Sequence, residues 1–431
     1  MESIKISSSS LSGVIQAPPS KSHTLRGVLF ASMARGKSKI LNPLNSPDTH
    51  SMIEACRQLG ARIERIEHGL EIWGNGGNPV QPTSIIDAGN SGQVLRFVTA
   101  MAALLPGQTI ISGDESIQNR RPMQPLIDGI NQLGGHGKCQ GDHGMAPVSI
   151  QGPVNPGIVK VDGLVSQPIS ALLMLAALLK GESQIHVSNP QEKPWTTLTV
   201  DWLKRLSVQL ESQNGTYYRV IGRAGWQGFE YTVPGDFSAA LFPVVAALLT
   251  RSVVTVKGLN WEDAQGDKFV FDKLKAMGAN LIYTKNGMEV LQSDDLRGAQ
   301  IDVNDFADAL PILSVLACFA KGETRLINAD VARMKESDRL ASIVHELSKM
   351  GAKICQKPSE LIICGGKLRG AMLDSWQDHR IAMALSVAAL ASEGDTHVRR
   401  TACIGKSYPA FVQEMAVLGA NMENQINDEK G

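Results

Sequence analysis

Six Ala- and Leu-rich apolar runs recur along the chain at intervals of roughly 70 residues. Each run predicts the end of a helix, and it is followed by Gly or a small polar turn and then by a β-like segment. The six copies read LFASMARGKSKIL, VTAMAALLPGQTII, LLMLAALLKGESQIHV, VVAALLTRSVVTV, LSVLACFAKGETRLI and LSVAALASEGDTHV. The pattern therefore predicts an internal repeat that divides the chain into sixths.

A second predicted helix follows each run and ends in a short Leu/Met-Gly-Ala-like sequence before another strand. These ends read CRQLGARIE, INQLGGHGK, LKRLSVQLE, LKAMGANLIY, LSKMGAKIC and MAVLGANME. Gly directly after the last apolar position is typical of a left-handed helix C-cap, and the third copy lacks it. Each repeat is thus predicted to be a β-α-β-α-β-β unit, and the fold class is α/β.

The repeat also predicts the domain organisation, since 431 residues exceed what one hydrophobic core usually serves. Pro234 and Gly235 precede the fourth unit, and the first strand, SIKIS, is expected to belong with the last three units. We predict one domain from 1–17 and 236–431 and another from 18–235, with the active site in the cleft between them. The Gly-rich stretches at 74–77 and 134–137 are interpreted as turns.

Charge and cysteine content restrict the classes of partner. With 42 basic and 42 acidic side chains, the totals predict no general attraction to nucleic acid or to a membrane. The six cysteines are scattered and show no metal-type spacing. The N-terminal sequence lacks a signal peptide pattern, and no stretch reaches the length of a membrane span, so the expected location is cytoplasmic.

Polar residues collect directly before the predicted helices, and many of them are cations. The stretch APPSKSHTLR, at 17–26, offers cations and hydroxyl groups without a neutralising acid. Helix N-termini attract anions, and such side chains suit phosphate or carboxylate groups. The cations at these positions are Lys21, Arg26, Arg96, Arg121, Lys335, Arg339, Arg380 and Lys406. The sequence therefore predicts a small ligand that carries several negative charges.

Three acids stand among these cations. They are Asp308, Glu336 and Asp378. From the residues alone, each acid is either a structural counter-ion or a proton-transfer group, and the choice depends on geometry.

Nine sequence blocks resemble, in order and spacing, the motifs of the 5-enolpyruvylshikimate-3-phosphate (EPSP) synthase family. They read PPSKSHTLR, GNSGQVLRF, NRRPM, SQPISALL, GDFSAALF, DALPILSVLACFAKG, RMKESDRL, DHRIAMAL and GKSYPAF, and they extend from about 15 to 420. The first block and EKPWTTLTVDWL are most similar to the forms in chlamydia-like bacteria. The resemblance implies two domains of three repeated units that close over their substrates.

The resemblance also implies an activity and its ligands. Enolpyruvyl transfer from phosphoenolpyruvate to the 5-hydroxyl of shikimate 3-phosphate would release phosphate, as a step in making chorismate and aromatic amino acids. No cofactor and no metal are implied. A monomer is the expected state, and glyphosate is a candidate inhibitor.

Site residues follow from the matching motifs, each as an implication of the resemblance. The implied catalytic residues are Lys21, Asp308, Glu336 and His379. Asp308 takes the proton of the 5-hydroxyl, Glu336 protonates the methylene carbon, and His379 supports the second anion. The implied shikimate 3-phosphate ligands are Lys21, Ser22, Arg26, Ser166, Gln167, Asp308 and Lys335. The implied phosphoenolpyruvate ligands are Lys21, Asn90, Gly92, Arg121, Gln167, Arg339, Arg380 and Lys406.

Some positions depart from the family pattern, and two other functions stay open at this point. Val165 stands where many members have serine, and Glu192 and Trp195 stand where serine and tyrosine are common. Val331 replaces an asparagine seen in some members. One alternative is a non-catalytic or degenerate protein that binds shikimate metabolites, which would have lost its acid and base. The other is the related UDP-N-acetylglucosamine enolpyruvyl transferase, whose reactive cysteine has only Cys139 as a counterpart here, in an unmatched context.

Overall fold

The structure, a computed structural model, describes residues 2–223 and 225–426. The chain divides into two compact units. We call Pro19–Val233 the N unit, and Met1–Pro18 with Pro234–Gly431 the C unit. In the described part of the chain, each unit contains three four-stranded sheets.

The chain begins with two strands of the C unit and then forms the three repeats of the N unit. The first strands are β1 (Glu2–Ser7) and β2 (Ser12–Gln16). The first repeat contains α1 (Lys21–Met33), β3 (Arg35–Leu41), α2 (Pro47–Gln58), β4 (Arg62–Ile66) and β5 (Gly69–Asn75). The second contains β6 (Ile86–Asp87), α3 (Gly92–Ala102), β7 (Thr109–Ser112), α4 (Glu115–Arg120), α5 (Gln124–Gln132), β8 (His136–Cys139) and β9 (Val148–Gln151). The third contains β10 (Ile158–Asp162), α6 (Ser166–Leu178), β11 (Gly181–Ser188), α7 (Lys193–Arg205), β12 (Gln209–Gln213) and β13 (Tyr217–Gly222).

Strand β14 (Glu230–Thr232) pairs parallel to β3 and completes the first sheet. The C unit then forms its own three repeats. The first contains α8 (Phe237–Leu249), β15 (Val253–Lys257), α9 (Val270–Ala276), β16 (Leu281–Thr284) and β17 (Gly287–Val290). The second contains β18 (Gln300–Asp302), α10 (Leu310–Phe319), β19 (Glu323–Ile327), α11 (Arg339–Lys349), β20 (Lys353–Lys357) and β21 (Glu360–Cys364). The third contains β22 (Met372–Asp374), α12 (His379–Leu390), β23 (Thr396–Arg399), α13 (Phe411–Val417) and β24 (Asn421–Ile426).

All six sheets share one strand pattern. In the sheet of order β10-β11-β13-β12, β10 and β11 are parallel, and the last two strands are antiparallel to their neighbours. In the C unit β2 supplies the parallel partner of β15, and β1 lies between β23 and β24. The predicted β-α-β-α-β-β repeat and the α/β class are therefore confirmed. Each of the six apolar runs lies in one repeat, and each repeat combines a four-stranded sheet with its helices.

The first helix of each repeat is buried on nearly all sides, which explains its uniform Ala/Leu composition. In the C unit α8, α10 and α12 pack against one another, and in the N unit α3 packs against α6. The helices thus form the centre of each unit. Helix α12 begins with His379 and Arg380 directly after its N-cap Asp378, so that charged residues stand at the start of this core helix. Across 2–223 and 225–426, no helix has both the length and the apolar character that a bilayer crossing needs.

The second helices end as predicted, with a left-handed residue after the last turn. Five copies have a glycine with φ between 90 and 100°, namely Gly60, Gly134, Gly278, Gly351 and Gly419, and the third copy has Ser207 with φ 59°. The turn interpretation of 134–137 was wrong in its second half. β8 begins at His136, because its backbone pairs with β9. Similarly, β5 continues to Asn75, so that only the end of the 74–77 stretch is a turn.

Candidate active site

In the C unit, the starts of three helices and the turn before a fourth bring cations and carboxylates together. We call this group the acid cluster: Asp308, Lys335, Glu336, Arg339, Asp378, Arg380 and Lys406. Asp308 lies on a 3₁₀ turn before α10, and Arg339 is the first residue of α11. Asp378 is the N-cap of α12, and Lys406 ends the 3₁₀ turn before α13.

Arg339 is the centre of the acid cluster. Its Nη1 donates to Asp308 at 2.6 Å, and its Nη2 donates to Glu336 at 2.9 Å. Its Nε donates to Asp378 Oδ2 at 2.8 Å, and Asp378 also accepts from the hydroxyl of Ser337. The guanidinium is buried, and the three carboxylates outweigh burial and raise its pKa above the ordinary arginine value. Arg339 is therefore positively charged and held in one orientation by planar, charge-assisted hydrogen bonds.

Asp308 is surrounded by cations. Its Oδ2 lies 3.1 Å from Arg380 Nη2, and its Oδ1 lies 3.9 Å from Lys335 Nζ. Burial by itself would raise the pKa of Asp308, but the charges of Arg380, Lys335 and Arg339 hold that pKa well below its usual value. Asp308 is thus an ionised acceptor at neutral pH, and an anion that binds these cations would compete with it.

Glu336 accepts from two cations. Its Oε1 lies 2.9 Å from Lys406 Nζ, while its Oε2 pairs with Arg339. Glu336, Asp378 and His379 also place possible metal-ligand atoms within 4.8 Å of one another. Because Arg339 and Lys406 already supply positive charge to these carboxylates, the geometry is that of an ion-pair network.

Asp267 is a further buried carboxyl beside the acid cluster, which the sequence prediction missed. It lies on the 3₁₀ turn Gly266–Phe269 and accepts a hydrogen bond from Ser238 in the first turn of α8. Burial, with added repulsion from Asp308, raises the pKa of Asp267 to about 7, against the opposing charge of Arg380. None of the sequence motifs described above includes this position.

In the N unit, the starts of α1, α3 and α6 carry most of the predicted ligands. Lys21 is the first residue of α1, and its Nζ lies 3.6 Å from Asp48 on α2. Asp48 is buried and also accepts from the hydroxyl of Ser91, the N-cap of α3. The stretch 17–26 contains no acid itself, but α2 packs against α1 and supplies one to this helix start.

Arg26 and Ser22 lie one turn apart on α1. The Nε of Arg26 donates to Thr199, and its Nη1 and Nη2 donate to backbone carbonyls, including that of Ser22. Burial lowers the pKa of Arg26 to about 9. Ser22 accepts a hydrogen bond from the side chain of Gln93 at 3.2 Å. Arg26 thus fixes α1 against α7, and its donors face protein acceptors in this structure.

The start of α3 combines a glycine with two arginines and a glutamine. Arg96 Nη1 donates to Gln167 Oε1 at 2.7 Å. A Cβ at Gly92 would lie only 2.9 Å from Arg96 Nη1 and 3.3 Å from Gln167 Oε1, so the absence of a side chain permits this contact. Arg121 Cδ lies 3.7 Å from the same Cβ position. Asn90 donates to Asp114 and Ser116 and thereby holds the preceding turn.

Ser166 is the first residue of α6, and its N–H and hydroxyl both donate to Glu192. Glu192 is buried and precedes α7. Burial lowers the pKa of Arg96 to about 9, with Arg121 acting in the same direction and Glu192 opposing it. Glu192 was noted in the sequence only as a departure from the family pattern. Its contact with Ser166, and the contacts of Asp48 and Arg96, were not predicted, because no local sequence pattern indicates which carboxylate reaches a distant helix start.

Within each unit, the structure therefore brings the predicted residues of that unit together at helix starts. An α/β protein with repeated units and with cations clustered at helix starts belongs to the class of anion-binding α/β proteins. Residues 6–415 match the family model described as EPSP synthase (3-phosphoshikimate 1-carboxyvinyltransferase). The chain belongs to the EPSP synthase family.

Individual relatives agree with this assignment. The 3-phosphoshikimate 1-carboxyvinyltransferase of Chlamydia caviae is 44% identical over 425 residues, which are 98% of this chain and 95% of that protein. Its counterpart from Chlamydia felis is 43% identical over the same shares. The EPSP synthase structure from Acinetobacter baumannii has a TM-score of 0.83 at 25% identity and covers 99% of this chain and 100% of its own. The enolpyruvyl transferase NikO from Streptomyces tendae shares the fold, with a TM-score of 0.80 at 18% identity over 98% and 99% of the two chains.

Proposed function

We propose that this protein transfers the enolpyruvyl group of phosphoenolpyruvate to the 5-hydroxyl of shikimate 3-phosphate. In the addition step, the hydroxyl oxygen bonds to C2 of phosphoenolpyruvate and C3 gains a proton. In the elimination step, C3 loses a proton and the C2–O bond to phosphate breaks. The products are 5-enolpyruvylshikimate 3-phosphate and phosphate, so that atoms and charges balance. The family match and the names of the relatives support this choice of substrates.

The acid cluster is the observation that carries the proposal. It places two carboxylates, Asp308 and Glu336, on either side of one buried guanidinium, with three further cations beside them. Addition across the enol needs a proton acceptor and a proton donor, together with positive charge for the phosphate that leaves. The non-catalytic alternative predicts loss of the acid and the base, and both are present in this chain.

We assign the roles as follows. Asp308 accepts the proton of the 5-hydroxyl, and Glu336 delivers a proton to the methylene carbon. Arg339, Arg380 and Lys406 bind phosphoenolpyruvate, and their engagement by its carboxylate and phosphate frees Asp308 and Glu336 from ion pairs. His379 packs beside Asp378 and supports the second anion.

The N unit provides the rest of the proposed site. Its proposed shikimate 3-phosphate ligands are Lys21, Ser22, Arg26, Ser166 and Gln167, with Asp308 and Lys335 from the C unit. Its proposed phosphoenolpyruvate ligands are Lys21, Asn90, Gly92, Arg121 and Gln167. The hydrogen bond from Arg96 to Gln167 and the ion pair of Lys21 with Asp48 place polar and charged side chains at these helix starts, which supports the proposed roles. A site shared by both units, the monomeric state, the cytoplasmic location and inhibition by glyphosate stay predictions.

Phosphate release tests the proposal. Purified protein with phosphoenolpyruvate and shikimate 3-phosphate should release inorganic phosphate, and omission of shikimate 3-phosphate should abolish the release. Glu336→Gln should lower kcat by about a hundredfold or more, because it removes the proton donor. Glu289→Gln, on strand β17, is the matched control.

No release by the wild-type protein, with intact binding of both ligands, would favour the non-catalytic alternative. Release at a near-normal rate by Glu336→Gln would show that the proton donor is another residue. Release with UDP-N-acetylglucosamine in place of shikimate 3-phosphate would instead identify the related transferase.

A further inference from the structure

A carboxylate lies at the start of α6, the helix whose first residue is a proposed phosphate ligand. Ser166 N–H and Ser166 Oγ donate to the same atom, Glu192 Oε2, at 3.4 and 3.2 Å. Ser166 is 1% exposed and Glu192 is 2% exposed. The N-cap, Val165, provides no side-chain hydrogen bond, so Glu192 takes over this function from the end of a different loop. The positive end of α6 thus already has an anion from its own unit.

Glu192 also acts on the neighbouring cations. Burial and repulsion from Arg121 lower the pKa of Arg96, and the negative charge of Glu192 raises it. Arg96 in turn donates to Gln167, the second residue of α6. Glu192 therefore serves as a counter-ion within the group of donors proposed to bind substrate anions.

The backbone fixes Glu192 at this place. Its φ of 49° and ψ of 38° lie in the left-handed region, which side chains other than glycine rarely adopt. Such a conformation persists where surrounding structure imposes it. Here, α7 begins directly after Glu192, and buried residues such as Thr196 and Trp202 anchor that helix. The carboxylate is consequently presented to Ser166 by the fold.

We propose that Glu192 competes with the phosphate group of the phosphorylated substrate for Ser166 and thereby sets the affinity for that substrate. This inference rests on the function proposed above. One oxygen of Glu192 accepts both the N–H and the hydroxyl of Ser166. A phosphate at these donors would lie against that carboxylate, and two anions in a buried site repel strongly. Binding of the phosphate therefore requires the Glu192 carboxylate to leave Ser166.

Glu192→Gln separates charge from shape, because the amide oxygen can still accept from Ser166 while the negative charge is removed. We expect Kd for shikimate 3-phosphate, measured by isothermal titration calorimetry, to fall by about tenfold. Kd for shikimate, which has no phosphate, should change by less than about twofold. Glu182→Gln, an exposed acid paired with Arg219 in the same unit, is the matched control and should change neither value.

A second variant protects the test against a folding defect. Glu192→Ser removes the charge and leaves a small hydroxyl, and it should also tighten shikimate 3-phosphate selectively. Weaker binding of both ligands by both variants would show that Glu192 is only a structural cap, and would overturn the proposal. Equal tightening of both ligands would overturn it too, since the effect would not depend on the phosphate.

Inorganic phosphate separates this proposal from the proposed function. We expect phosphate to raise the Tm of Glu192→Gln more than that of the wild-type protein. If phosphate raises the Tm of the variant more while shikimate 3-phosphate binds neither protein, Glu192 does compete with phosphate for Ser166. In that case the assignment of shikimate 3-phosphate as substrate is wrong. If the wild-type protein turns over shikimate 3-phosphate and the variant gains no affinity for either phosphate compound, the function holds and the competition is refuted.

Discussion

Individual carboxyl groups in the C unit differ in charge state because their immediate neighbours differ. Asp308 contacts Arg339 and Arg380, and its pKa is held well below the usual value despite burial. Asp267 contacts the neutral hydroxyl of Ser238, and its Oδ1 has no hydrogen-bond partner among the described residues. Burial therefore dominates there and raises its pKa to about 7.

Replacement of Asp267 by Asn tests this difference through the pH dependence of stability. The ordinary aspartate pKa is 3.8 and the folded value is about 7, so the folded protein binds the extra proton between these values. The stability contributed by Asp267 is then full below about pH 4, declines as the pH rises to about 7 and is constant above. We expect Asp267→Asn to match the wild-type Tm near pH 4 and to exceed it by about 5 °C above pH 7.

Asp395→Asn provides a control of opposite sign. Hydrogen bonds from Ser7 and Lys5 lower the pKa of this exposed carboxyl, so that its loss should slightly lower Tm at neutral pH. A Tm difference between wild type and Asp267→Asn that is the same at pH 4 and pH 8 would contradict the assignment of a raised pKa.

Helix ends show how one local rule recurs through six repeats. After the second helix of the third repeat, Ser207 adopts the left-handed conformation that glycine adopts in the other five copies. Its N–H donates to the carbonyl of Lys204, and Val208 N–H donates to that of Leu203. The hydrogen bonds of the helix end are therefore kept, and the strain is borne by the backbone of one serine.

Ser207→Gly should relieve this strain. A non-glycine residue in the left-handed region costs about 1 kcal/mol, which corresponds to an increase in Tm of about 2–4 °C for domains of this size. Ser207→Ala is the matched control, because alanine keeps the Cβ and should give no increase. Thermal unfolding at one pH measures both variants, and equal Tm values for Gly and Ala would contradict the argument.

At the scale of the whole molecule, two chain connections join the units, at Pro18–Pro19 and Val233–Pro234. Each unit carries its own cluster of charged helix starts. If both clusters bind the same pair of substrates, as we propose, the ligands will draw the units together.

Small-angle X-ray scattering of Glu336→Gln, which slows turnover, measures this effect. We expect the radius of gyration to decrease when shikimate 3-phosphate and phosphoenolpyruvate are added together, and to change less with either one alone. Adding Lys21→Ala to this variant should reduce the decrease, because a cation proposed to contact both substrates is lost. An unchanged radius of gyration with both ligands at saturation would refute closure.

The features that depend on neighbouring residues in the chain could be predicted from the sequence. The α/β class, the sixfold repeat and the left-handed helix ends depend on apolar periodicity and on glycine, which are local properties. The cationic helix starts were visible for the same reason, since Lys21 or Arg339 directly precedes or begins an apolar run.

Only the tertiary structure decided which charges meet. Asp378 reaches Arg339 across 39 residues of sequence, and Glu192 reaches Ser166 across 26. Side-chain partners at such separations are set by how helices pack, and the intervening sequence carries no periodic signal of them. The sequence by itself therefore determined where charge would collect, and the packing of helices decided which carboxylate neutralises it.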